Sequence, residues 1–84
     1  MNTYILNFEG KNTPEELHAY WKSMLKFPDH YGANLDALYD CLTSITLPTQ
    51  IKLANLNPSN PLHNAMLAVA TDAASANERL KILS

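Results

Sequence analysis

Thr3 to Phe8 (TYILNF) is a dense run of apolar, β-branched and aromatic residues closed by Glu9-Gly10, which predicts a short buried strand. The spacing then changes. Leu17, Tyr20, Trp21, Met24 and Leu25 recur at i, i+3, i+4, i+7 and i+8, one apolar stripe along a helix. Thr13-Pro14-Glu15-Glu16 opens that helix, with Thr13 as N-cap, Pro14 at the first helical position and Glu16 closing a capping box. Pro28 ends it, because the residue before a proline is pushed out of the α region. Asn34 then caps a second helix that runs to about Thr43. Thr49 to Leu56 places Ile51, Leu53 and Asn55 on one side of a second strand, and Asn55 to Pro61 is a polar, proline-bearing loop. Asn60-Pro61 opens a third helix, with Leu62, Met66, Val69 or Ala70, and Ala73 facing inward. Arg79 to Ser84 closes the chain as a third strand.

The order β-α-α-β-α-β favours an α/β fold, a small three-stranded parallel sheet packed with helices and joined by right-handed crossovers. Eighty-four residues make one domain, residues 1–84, with no internal repeat or linker. At 46% hydrophobic and 17% charged, the chain has enough apolar surface to fold, and no apolar run reaches the roughly 18 residues of a membrane span. The opening MNTYILNFEGKN lacks the pattern of a secretory signal. Cys41 is the single cysteine, so no internal disulfide forms, which fits a reducing compartment and makes cytoplasm the expected location. The net charge is −2, and the six Lys and Arg residues are scattered rather than clustered, which argues against direct nucleic-acid binding.

The second helix raises the functional question. At roughly 100° per residue, Leu35, Leu38 and Leu42 share one side, continued by Ala37 and Cys41, while Asp36, Tyr39, Asp40 and Thr43 take the other. Asp36 in the first turn gains from the helix dipole; Asp40 does not, and repels Asp36 across one turn. The residues three and four from Asp40 are Asp36, Ala37, Thr43 and Ser44, so no cation on this helix offsets it. Tyr39 beside the two acids has the character of an interface residue. This face is either simply solvated or a docking surface.

The run Pro28 to Thr43, PDHYGANLDALYDCLT, resembles the barstar family of intracellular inhibitors of barnase-like ribonucleases. Pro28, Asp29, Tyr31, Gly32, Asn34, Leu35, Asp36, Ala37, Leu38, Tyr39, Asp40, Cys41 and Leu42 match the family pattern without a gap, and weaker similarity extends in order along the rest of the chain to Ile82-Leu83-Ser84. The resemblance implies that the second helix and the loop before it plug a ribonuclease active site. Asp40 would then stand where the substrate phosphate binds. Asp36 and the backbone from Gly32 to Asn34 would meet the guanine-binding loop and its neighbours, and Leu35 and Ala37 would belong to the same partner-binding surface. His30, Tyr31 and Tyr39 would supply packed contacts, Thr43 would sit at the rim, and Asp72 would add a third acid from the last helix. Three positions depart from the common pattern. His30 stands where tyrosine is usual, Tyr39 where tryptophan is usual and Asp72 where glutamate is usual. The short Pro58/Pro61 connection also implies that a short helix found there in relatives is lost or reduced.

The implied partner is a cognate ribonuclease or ribonuclease toxin in a 1:1 complex, the free chain being a monomer that serves as an immunity protein. The alternative is a module of the same fold that binds an unrelated nuclease toxin or other partner without inhibiting a ribonuclease. Other chemistry is poorly supported. His18, His30 and His63 lie on separate segments with no metal-ligand spacing, His18 reads as an exposed histidine, and Cys41 faces the leucine side. No metal or cofactor is expected. With two glycines and no phosphate loop or nucleophile motif, the chain reads as a non-enzyme.

Overall fold

A computed structural model describes residues 1–84. Its elements follow in the order β1 (Asn2–Asn7), α1 (Pro14–Leu25), α2 (Leu35–Thr43), β2 (Thr49–Ala54), α3 (Pro61–Ala76) and β3 (Leu80–Leu83). The three strands form one parallel sheet with β2 in the centre, Tyr4 facing Ile51 and Ile51 facing Ile82. This is the α/β arrangement and element order that the sequence predicts.

Alternation along β2 explains how the helices cover the sheet. Thr49, Ile51 and Leu53 are buried, while Lys52 between them is exposed. Leu6 of β1, Phe8 just beyond it and Leu80 of β3 continue the buried side. These residues join Leu17 and Trp21 of α1, Leu38 and Leu42 of α2, and Met66, Ala70 and Ala73 of α3 in one core. The inward position left open in α3 is taken by Ala70, with Val69 only half-buried.

Strand β2 stops at Ala54, two residues short of the predicted Leu56. Asn55 adopts a left-handed backbone (φ 58°) and its side-chain Nδ2 donates to Asn7 Oδ1 at 2.9 Å, so it turns out of the ladder instead of joining the buried side. No helix forms between β2 and α3. Two histidines are buried, one of them against expectation. His18, expected to be exposed, is 3% exposed because Tyr31, thirteen residues on, gives its ring a partner inside the fold. His63 is equally buried, with Nδ1 accepting from the Asn57 amide at 3.0 Å and Nε2 donating to the Lys11 carbonyl at 2.6 Å. Both ring nitrogens are satisfied, which fixes one neutral tautomer and removes the cost of burying the ring. No helix is long and apolar enough to cross a membrane.

Candidate functional site

Helix α2 is short, and its position is set from both ends and from beneath. Asn34 is extended and its Oδ1 accepts from the Ala37 amide at 2.8 Å, satisfying one of the donors that a helix start leaves open. The preceding loop is tight. A Cβ at Gly32 would lie 3.3 Å from Asn34 Nδ2 and 3.4 Å from the Ala37 Cβ, so a larger residue there would make the Asn34 side chain give by a few tenths of an ångström. Ala33 takes φ 53°, a conformation uncommon without glycine, which fixes how the chain enters the helix. At the far end, Asn77 Nδ2 donates to the Leu42 carbonyl at 3.1 Å and the Ile45 carbonyl at 3.0 Å. Thirty-five residues away in sequence, the side chain that follows α3 thus closes the C-terminal end of α2. Leu38 and Leu42 are fully buried beneath, where α2 packs chiefly on α3.

Asn34→Ala removes the cap. It is expected to lower unfolding stability by about 1 kcal/mol. Denaturant titration measures this as a lowered midpoint with an unchanged slope.

The outward face carries the chemistry. Asp36 and Asp40 are exposed, and Tyr39 between them is 36% exposed. No lysine, arginine or histidine of the chain forms a salt bridge with either carboxylate. Asp36 and Asp40 therefore present acceptor oxygens to whatever approaches. The Asp40 backbone carbonyl, by contrast, is well used: it accepts from the Ser44 hydroxyl at 2.7 Å and the Thr43 hydroxyl at 3.1 Å. Thr43, half-buried, turns its hydroxyl proton back onto the Tyr39 and Asp40 carbonyls of its own helix.

The other expected site residues divide into two groups. His30, Gly32 and Asn34 are exposed on the loop, and Asp72 is exposed on α3, the helix that supports α2. Tyr31, Leu35 and Ala37 are half-buried; Leu35 packs against the core, and Tyr31 packs on Phe27 with ring centroids 5.0 Å apart. Tyr31 is thus more a support of the loop than a free contact. Burial, with Cys41 nearby, pushes its phenol well above the ordinary range, so it stays protonated. Beside the acidic face lies a depression of about 500 Å³ lined by residues including Lys26, His30, Asp40, Cys41 and Leu47. Burial, and then Asp40 alongside, pushes the Cys41 thiol up, which keeps it an uncharged wall of that depression. No group of three or more His, Cys, Asp or Glu residues is placed to hold a metal ion.

Comparison with known proteins bears on this arrangement. The family model described as Barstar (barnase inhibitor) matches residues 1–82. A protein of Bacillus subtilis (strain 168), named "Putative ribonuclease inhibitor YrdF", is 53% identical over 61 residues, 71% of this chain and 67% of that protein. With nearly the whole chain matched, and with the parallel sheet and capped acidic helix in place, this protein belongs to the barstar family.

Proposed function

We propose that this protein is an inhibitor of a barnase-type ribonuclease, an immunity protein rather than an enzyme, which seats the outward face of α2 in the nuclease active site. A ribonuclease cleft is lined with cations because it binds a polyanion. A helix carrying Asp36 and Asp40 presents negative charge in place of phosphate without offering a bond to cleave. Asp40 meets the phosphate-binding cations, while Asp36 and the backbone of Gly32 to Asn34 meet the guanine-binding side. Tyr39, His30 and the half-buried Tyr31, Leu35 and Ala37 exclude water around the charges. Thr43 and Asp72 contact the rim. The observation that carries this reading is the pair of exposed carboxylates on α2 with no cation of their own. Family membership supports it, as does the name of the Bacillus subtilis relative.

The test is direct. Titrating the protein into a barnase-type ribonuclease should abolish RNA cleavage at a 1:1 ratio, and Asp40→Ala should restore cleavage while the fold is kept. Binding without inhibition would instead assign the surface to some other nuclease or partner. Association should also slow as salt rises, because the steering field between an acidic face and a basic cleft is screened beyond about 10 Å at 0.1 M. Stopped-flow measurement between low and physiological salt checks this, and a rate indifferent to ionic strength would exclude electrostatic docking.

A further inference from the structure

We infer that His18, buried in α1 and outside the acidic face, is a positioning residue for that face: it holds Tyr31, and through Tyr31 the loop that carries His30, Gly32 and the Asn34 cap. The consequence for binding rests on the inhibitor reading above. Positioning itself does not.

From Pro28 to Ala33 the loop has little else to hold it. The Tyr31 amide donates to the Pro28 carbonyl at 2.9 Å, and Asn34 Nδ2 reaches the Gly32 carbonyl at 3.4 Å; both bonds stay within the local turn. The one hydrogen bond that leaves this stretch for another element joins Tyr31 Oη to His18 Nδ1, at 2.6 Å. His18 is 3% exposed and its ring lies 5.7 Å from that of Tyr31, which in turn leans on Phe27. Immediately beyond Tyr31 come Gly32, crowded against the cap, and Ala33 with its left-handed backbone. A shift of Tyr31 is therefore passed to the start of α2 along a segment with no slack.

The pair is held in a defined protonation state. Burial lowers the His18 pKa, against a smaller opposing effect of Glu15 on the same helix. Tyr31 is the titratable group facing it from the loop, and Cys41 of α2 stands near Tyr31. With the phenol protonated and the imidazole neutral, Tyr31 donates to Nδ1 and the ring proton sits on Nε2. Protonating His18 puts a second proton at Nδ1. The phenol must then turn its own hydrogen elsewhere, and a cation is left in the core.

The sign follows from the lowered pKa. Between the folded-state value and the unfolded value near 6.5, the unfolded chain binds more protons. The stability contributed by the neutral pair is complete above about pH 6.5 and is lost as pH falls below it.

The experiment uses four variants in a His30→Gln background, which removes the exposed histidine from the same loop. His18→Asn keeps an acceptor near the Nδ1 position but cannot titrate. His18→Phe, Tyr31→Phe and the double variant remove the bond. Amide exchange of Gly32, Ala33 and Asn34 in the free protein should speed up about 2- to 10-fold in His18→Phe, the size of one hydrogen bond, and return toward the parent rate in His18→Asn. Tyr31→Phe should match His18→Phe, with no further change in the double variant. Dissociation from a barnase-type ribonuclease should quicken by a similar factor, and any acceleration that sets in as pH falls through the lowered His18 pKa should vanish in His18→Asn.

Unchanged exchange and dissociation in His18→Phe would overturn the inference, as would lowered thermal stability with no effect on either rate. If the parent protein binds no such ribonuclease, the inhibitor reading falls. The amide rates then decide the positioning role by themselves.

Discussion

Asp40→Ala is expected to weaken the complex with a barnase-type ribonuclease by about 2 to 5 kcal/mol, whereas Asp29→Ala changes it by less than about 1 kcal/mol. The magnitude is taken from barnase and barstar, the reference pair of this same family, and is not deduced from the present chain. What the structure adds is the contrast between the two sites. Asp40 lies on a helix held at both ends and lines a depression, so docking in the proposed pose would desolvate its charge. Asp29 is on the exposed loop, where water competes with any partner.

The free protein should respond in the opposite direction. Asp40 has no intrachain cation, stands one turn from Asp36 and lies in the C-terminal half of a helix whose last turn has no basic residue. Removing the carboxylate relieves repulsion worth about 0.2 to 0.5 kcal/mol, and the backbone carbonyl used by Thr43 and Ser44 survives the change. Calorimetry of binding beside thermal melts of the free variants checks both signs. Lost affinity together with a large fall in melting temperature would show that Asp40 is structural, and equal losses for Asp29→Ala would refute the docking pose.

The proposed site draws attention in the sequence for the same physical reason. A pair of like charges one turn apart costs a solitary helix something, and a local cost with no local repayment is visible without coordinates. Caps are legible for a related reason. Asn34 and Asn60 act on amides two or three residues away, so residue type and spacing suffice, and α2 and α3 begin where those residues stand. Glu16 is a near case: Thr13 caps its amide as expected, but its carboxylate returns to the Asn12 amide and not to Thr13.

What escaped the sequence depends on distant partners. His18 looks like a polar residue beside an apolar stripe, and only Tyr31 makes its burial tolerable. Its position between Leu17 and Trp21 was the available signal, since both neighbours are buried. His63 needs Lys11, fifty-two positions away, and the end of α2 needs Asn77. No periodicity encodes such pairings. Tyr31 shows the same effect inside the site: a match to the family pattern marks it as part of the surface, but its half-buried ring and its bond to His18 give it a supporting role.

Leu38→Ala is the change expected to cost the free protein most among those at this helix, about 2 to 5 kcal/mol of stability. Leu38 is fully buried, in one cluster with Leu42 and the α3 residues Met66, Ala70 and Ala73. Truncating it leaves a cavity inside that cluster, and the cost rises with the volume the surrounding side chains fail to fill. A domain of this size stands only about 5 to 15 kcal/mol above its unfolded state. The melting temperature should therefore fall by about 10 to 30 °C. Binding is affected through the same route and not through charge. Helix α2 carries the acids outward only because its leucines hold it on α3, so loosening that seat frees the helix to fray and makes docking carry the cost of reordering it. The variant should lose affinity with an undiminished salt dependence, whereas Asp40→Ala should lose affinity and part of its salt dependence together. Measuring both properties in both variants separates the platform from the charge it presents. A Leu38→Ala protein that melts within a few degrees of the parent would mean that the seat of α2 lies elsewhere than in its buried leucines.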